Sequence, residues 1–320
     1  MAAIVLPLLA SEVARAAGAI PSGLPLAVLI DVAPQAGVAG PEEAAARTID
    51  AVDEEAHARG VRPGQRVSEA AALTTGLVIH RVQARAIEAA LARAADVAFG
   101  VGPVVALGPP DTVWVDVTGA SHLWGGEAAL LAALEIRTRE LGHRARGAIG
   151  DGPRLARALA RFARHAGVDP IHPVGEGGAA IAPLPVRALF LDRAGDDEVV
   201  SLLARLGVHR VADLARLPAA AAAARLGDRA QEVLALARGR DPQPLVPYEP
   251  PSVVVEEVSL DDGVESAGAL VFVVRGLVSR AASRLAARGE ATSRIDLELL
   301  LDRSIAAPPS PTGWMGSTPA

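Results

Sequence analysis

Residues 109–126 read PPDTVWVDVTGASHLWGG. Val113, Val115 and Val117 alternate with other residues, which is the period of a strand, and the run stops at a Thr118-Gly119 turn. The preceding VVALG at 104–108 is a second apolar run, so Gly-Pro-Pro forms the turn of a hairpin. In phosphoryl-transfer enzymes a strand of this kind carries neighbouring carboxylates that hold two metal ions. Here Asp111 is followed by Thr112, so the hairpin is either a metal site or the remains of one.

Working outward, residues 77–83 (LVIHRVQ) read as a strand and 84–98 as an Ala-rich amphipathic helix. After the hairpin, GGEAALLAALEIRTRELG is a helix and HRARGAIG a strand. From 77 to 150 the order is strand, helix, two strands, helix, strand, the split βαβ pattern of a ferredoxin-like sheet, and the fold class is α+β. Upstream, AAIVLPLLA and LPLAVLID (24–31) suit buried strands, and EEAAARTIDAVDEEAHAR predicts a helix that ends at Gly60. A turn and a short helix then fill the interval to Gly76.

The bulk composition sets limits. A chain of 320 residues with 51% hydrophobic content buries a core and has room for two or more domains. With no cysteine, disulfides, thiolate zinc sites and cysteine nucleophiles are excluded. No apolar run reaches about 18 residues, and the start MAAIVLPLLASEVAR lacks a secretory leader pattern, so the expectation is a soluble, cytoplasmic protein with no membrane partner. The net charge of −6 conceals segregation, since residues 137–164 hold eight arginines against Glu140 and Asp151. All basic residues are arginine, a bias of composition.

In DGPRLARALARFARHAG, Asp151 is placed to cap a helix, Pro153 sits in its first turn, and Leu155, Leu159 and Phe162 form an apolar face. Arg154, Arg157, Arg161 and Arg164 form a second stripe, which needs water or an anion opposite it. A solvated face and a phosphate contact are both open. In DDEVVSLLARLGVHRVADLARL (196–217) two apolar helices meet at Gly207, Val208, His209 and Arg210. This is either a helix-hairpin-helix, whose turn frees backbone N–H groups for a DNA phosphate, or an ordinary αα-hairpin. Asp228 and Gln231 fit a capping box for one more helix. GRDPQPLVPYEPPS reads as an extended linker, and beyond it VVVEEVSL is a strand, 266–289 a long helix and SRIDLELLLDR a strand. The last residues show no periodicity and are expected to be disordered.

Taken together, PPDTVWVDVTGASHLWGGE, ARGVRPGQRVSEA, AIGDGPRLARALARFA and LLARLGVHRVADLARLP resemble the Y-family (translesion) DNA polymerases, most closely their ImuB-like branch, regarded as lacking polymerase activity. The resemblance implies a palm at 1–20 and 77–165, small fingers at 21–76, a helical thumb at 166–240, a linker at 241–251, a partial α/β little finger at 252–303 and a tail at 304–320. Active members hold two magnesium ions with three carboxylates, two adjacent in the palm hairpin and one in the first strand. The paired positions fall on Asp111 and Thr112, and the first strand has no Asp. Where active members carry a Tyr and an Arg for the triphosphate, this chain has Glu54 and His57, while Arg157 falls near a phosphate-contacting position.

The expectation is therefore a DNA-binding scaffold with no catalytic residue, no metal and no cofactor. It would contact DNA through Arg154, Arg157, Arg161, Gly207, Val208, His209 and Arg210. Implied partners are the sliding clamp, an error-prone replicative-type polymerase and a RecA-like accessory protein, in SOS mutagenesis at the nucleoid. No convincing clamp-binding peptide stands out, since QPLVP at 243–247 is too degenerate. Two alternatives stand beside it: an active error-prone polymerase that uses magnesium, and a truncated product without function.

Overall fold

The computed structural model describes residues 1–18, 20–32, 46–190, 195–258, 260, 264 and 266–299. Its strands are β1 (Ala2–Val5), β2 (Leu26–Asp31), β3 (Ala51–Val52), β4 (Val78–Gln83), β5 (Val105–Gly108), β6 (Thr112–Val115) and β7 (Arg146–Ile149). Four of them form one sheet in the order β5-β6-β1-β7, with every neighbouring pair antiparallel. This is the ferredoxin-like order, but its first strand is β1 and not the 77–83 strand assigned that place from sequence. β4 instead pairs in parallel with β2, in a second sheet ordered β3-β2-β4. Burial explains the exchange. All four residues of β1 are buried, as a central strand requires, whereas only Val82 of β4 is.

Alternation along the strands builds two cores. Ile4, Val113 and Val115 face α4 (Ala84–Phe99) and α5 (Glu127–Glu140), where they pack with Leu91, Leu130 and Leu134. Ala3, Val5 and Trp114 face the opposite way, towards Leu155 and Leu159 of α6 (Pro153–Ala166). The numbering counts α1 (Leu9–Gly18), α2 (Glu54–Ala58) and α3 (Val67–Leu73), the last two lying over the small sheet. The helix expected across 42–59 is replaced, within the described part, by β3 and α2. Asp53 starts α2 by accepting the Ala56 N–H at 2.8 Å, and it also holds the Leu26 N–H at 3.0 Å, which ties the cap to β2.

Five short helices follow: α7 (Gly177–Ile181), α8 (Asp196–Arg205), α9 (Val211–Ala215), α10 (Ala219–Leu226) and α11 (Ala230–Ala237). Their buried Ile181, Leu203, Val211, Leu214 and Leu234 join the α6 core, so α6 is shared by the sheet and the helical unit. The expected Asp228–Gln231 capping box does not form, because a 3-10 turn at Gly227–Arg229 leads directly into α11. Residues 241–252 have no regular structure, and α12 (Ala267–Arg288) follows, capped by Ser266.

Neither strand expected around α12 is present among the described residues. Val253, Val255, Ile295, Leu297 and Leu299 are exposed, since no neighbouring strand covers them, and the partial α/β unit reduces to its helix. The expected disordered tail at 304–320 lies outside the described residues. Among those described, no helix is long and apolar enough to cross a membrane.

One close approach fixes the end of the β5–β6 hairpin. A Cβ on Gly102 would lie 2.3 Å from the Asp116 carbonyl oxygen, so only glycine fits. Gly102→Ala is expected to destabilise the fold by about 1–3 kcal/mol in urea denaturation, through forced displacement of the strand end.

Candidate functional site

Asp111 ends the turn before β6, and its carbonyl accepts the Leu6 N–H at 2.8 Å, so it stands beside the end of β1. Both of its carboxylate oxygens lie 2.5 Å from Nη2 of Arg161 on α6. The Thr112 hydroxyl donates to Oδ1 of the same carboxylate at 2.9 Å, and Thr112 is fully buried. The position beside Asp111 thus carries a neutral hydroxyl, and Asp111 itself is neutralised by a guanidinium. The neighbouring end of β1 offers Leu6 and Pro7, neither of which binds a cation.

Asp116, the other acid of the hairpin, is turned to local work. Its Oδ1 accepts the Thr118 N–H at 2.9 Å, and the Thr118 hydroxyl and then this N–H hold its carboxyl below the usual aspartate range. Among the described residues no three His, Asp or Glu side chains converge as metal ligands. A two-metal centre balances its ions with several carboxylates. One ion-paired carboxylate and one hydroxyl do not fit it.

Three of the four arginines of the α6 stripe have partners within the protein. Asp241 caps the helix, accepting the Arg154 N–H at 2.7 Å and the Arg154 Nε at 3.0 Å, while Glu232 takes the other end of that guanidinium. Asp151, the expected cap, accepts the Gly175 and Gly177 N–H groups instead. Arg157 is buried with its guanidinium 5.6 Å from the centre of the Trp114 ring, and Arg161 is held by Asp111. Of the four, Arg164 alone is exposed. The anions opposite the stripe exist, but they belong to the protein and lie 50 to 87 residues away in sequence, where a local charge count misses them.

At the Gly207 hairpin the backbone donors are likewise taken up within the protein. Gly207, at φ +77°, makes the turn. Its N–H donates to Ala204, that of Val208 to Leu203 and that of Val211 to Leu184. The N–H groups of His209 and Arg210 both donate to Oδ2 of Asp213, at 3.2 and 2.9 Å. Every N–H that a phosphate would take already has a partner. Val208 is buried, but the side chains of His209 and Arg210 are exposed. With Phe162, His165, Pro183 and Pro185 they line a shallow cavity of about 350 Å³. Asp213 sits three residues after Arg210, the capping-box spacing, which was the legible sign that these donors were occupied.

In the smaller sheet's unit, Glu54 pairs with Arg144 of the loop before β7, and His57 is exposed with its carbonyl accepting from Arg62. Neither is arranged to hold a triphosphate.

Sheet order, shared helix and hairpin together define a ferredoxin-like α+β unit joined to a helical unit, with Asp111 of the hairpin held in an ion pair. Residues 11–161 match the family described as IMS, impB/mucB/samB, and are a Y-family polymerase domain. The chain is 37% identical over 239 residues to Protein ImuB of Caulobacter vibrioides, covering 74% of this chain and 50% of that one. It therefore spans about half the length of the curated relatives it matches. Among solved structures, an insertion ternary complex of Dbh DNA polymerase and DinB from Sulfolobus solfataricus each superpose with a TM-score of 0.59 at 15% identity, covering 76% of this chain and 68% of theirs. They share the fold.

Two outcomes follow from these contacts. Arg154→Ala leaves the buried Asp241 carboxylate without its guanidinium and is expected to cost roughly 3 kcal/mol of stability by chemical denaturation, far beyond the effect of losing a surface contact. The two N–H donors, Arg210 first, hold the Asp213 carboxyl below its usual range, so its cap is complete at neutral pH and is lost as pH falls below the ordinary aspartate range. Asp213→Ala should speed amide exchange at His209 and Arg210 at neutral pH and lose its effect in strong acid.

Proposed function

We propose that this protein is a non-catalytic Y-family homologue that binds DNA as a scaffold in translesion synthesis and damage tolerance. The observation that carries the proposal is the Asp111–Arg161 ion pair beside Thr112. Polymerisation on this fold needs two divalent cations held by carboxylates, and here the one remaining carboxylate is spent on a guanidinium. Neither catalytic metal nor cofactor is part of the proposal.

DNA binding is supported by the likeness of the fold to polymerases, one of them in a complex described as ternary. Arg164, His165, His209 and Arg210 are exposed near the hairpin, and their side chains are the proposed phosphate contacts. Side chains reaching phosphates hold a duplex without reading its sequence, and such binding weakens steeply with salt. A sliding clamp, an error-prone polymerase and a RecA-like accessory protein are the proposed partners, on the strength of the relation to Protein ImuB.

Two assays test this. Primer extension with magnesium or manganese is expected to yield no product, and metal-dependent extension abolished by Asp111→Ala would overturn the proposal. Anisotropy with a labelled primer–template should show binding that falls with salt and weakens several-fold in His209→Ala with Arg210→Ala. Unchanged binding by that double variant would remove the hairpin from the DNA contact.

A further inference from the structure

The segment after the thumb crosses to the other side of the palm and is fastened at three points. Asp241 is fixed at the start of α6, as described. Farther on, the Tyr248 N–H donates to the Val105 carbonyl of edge strand β5 at 2.7 Å, and its ring lies 6.4 Å from that of Phe99. The third point joins α12 to α4. Asp96, fully buried in the last turn of α4, accepts Arg284 Nε at 2.6 Å and Arg288 Nε at 2.7 Å. Glu256 accepts Arg280 Nε and Arg284 Nη1, both at 3.0 Å.

This attachment is unusual in its composition. Of the 22 residues of α12, Arg284 alone is buried as a whole residue, with the Arg288 side chain buried beside it, while the apolar Val273, Val274, Leu277 and Leu285 are only half-buried, where a helix docked for stability normally buries an apolar stripe. Phe272 and Val271, on the same helix, stay exposed. The hydrogen-bonded ties of the contact are all charged. Arg280, Arg284 and Arg288 recur at intervals of four and form one stripe, and Arg93 of α4 lies in the same cluster. Four guanidiniums meet the carboxylates of Asp96 and Glu256 and, 4.0 Å from Arg288, that of Glu290, so the docked state carries an excess of positive charge. It also leaves Arg288 Nη2 buried with no partner, an unmade hydrogen bond that opposes docking. The linker between Asp241 and α12 contains Pro242, Pro244, Pro247, Pro250 and Pro251, and Asp241 pins its far end.

We infer that α12 is a detachable arginine-striped helix: docked, its stripe is neutralised by Asp96 and Glu256; released, it offers Arg280, Arg284 and Arg288 to the phosphate backbone of DNA. A polyanion supplies the negative charge that the docked cluster lacks, and the pinned, proline-rich linker keeps the helix near the palm while it moves. The choice of DNA as partner rests on the function proposed above, whereas the latch itself does not.

The test uses the full chain as wild type, Asp96→Asn and Glu256→Gln, the last lying outside the palm so that its folding is not at stake. Hydrogen exchange across 267–288 reads the latch without DNA, and binding of a labelled primer–template over a range of salt reads the partner. Both variants are expected to exchange faster in α12 and to bind DNA more tightly. The slope of log affinity against log salt should steepen by up to about 2.7, or roughly 0.9 for each of three phosphates. Adding R280Q, R284Q and R288Q to Asp96→Asn should reverse the gain in binding. Unchanged α12 exchange in both variants overturns the inference, as does faster exchange with unmoved affinity and slope. If wild type and every variant fail to bind DNA, the scaffold proposal falls and this partner with it; wild-type binding that the variants leave unaltered sinks the inference alone.

Discussion

Arg161 reaches across from α6 to hold both oxygens of Asp111, and much of the molecule is arranged around that contact. It joins the β5–β6 hairpin to the helix that the helical unit packs against, and it places a positive charge beside the acid of that hairpin. A carboxylate in this setting has two possible partners, a divalent ion or a guanidinium, and the chain supplies the second. Thr112 adds to this contact, because its hydroxyl donates to a further lone pair of Asp111 without adding charge.

The same substitution of internal partners for external ones recurs through the molecule. Asp241 stands at the N-terminus of α6, where an anion is favoured, and Asp213 fills the N–H donors of the thumb hairpin. Asp96 and Glu256 do the same for the stripe of α12. Groups able to grip phosphate are satisfied by the protein's own carboxylates.

Much of this was legible in sequence, and the rest has a common reason for its absence. The valine alternation of β6, the apolar run of β1 and the glycine turn at 207 are local signals, and each formed as expected. The element types of the ferredoxin-like sheet were also readable, but not which strand opens it, since β1 and β4 both read as apolar strands and differ only in how deeply the finished fold buries them. The spacing of Arg154, Arg157 and Arg161 was plain, yet their fate was not, because it depends on Asp241, Glu232, Asp111 and Trp114 far along the chain. Thr112 was visible at the place where the resemblance implies a second carboxylate, whereas the guanidinium that holds Asp111 required the fold. Strands on either side of α12 were expected from residue type, but a strand also needs a neighbour to pair with.

The measurement that bears most directly on this account is a count of bound manganese by electron paramagnetic resonance, with primer–template and an incoming nucleotide present. The closed ion pair predicts that the signal matches a control containing the same DNA and nucleotide without protein, and that Asp111→Ala leaves it unaltered. Two protein-dependent manganese ions, lost on Asp111→Ala, would contradict it.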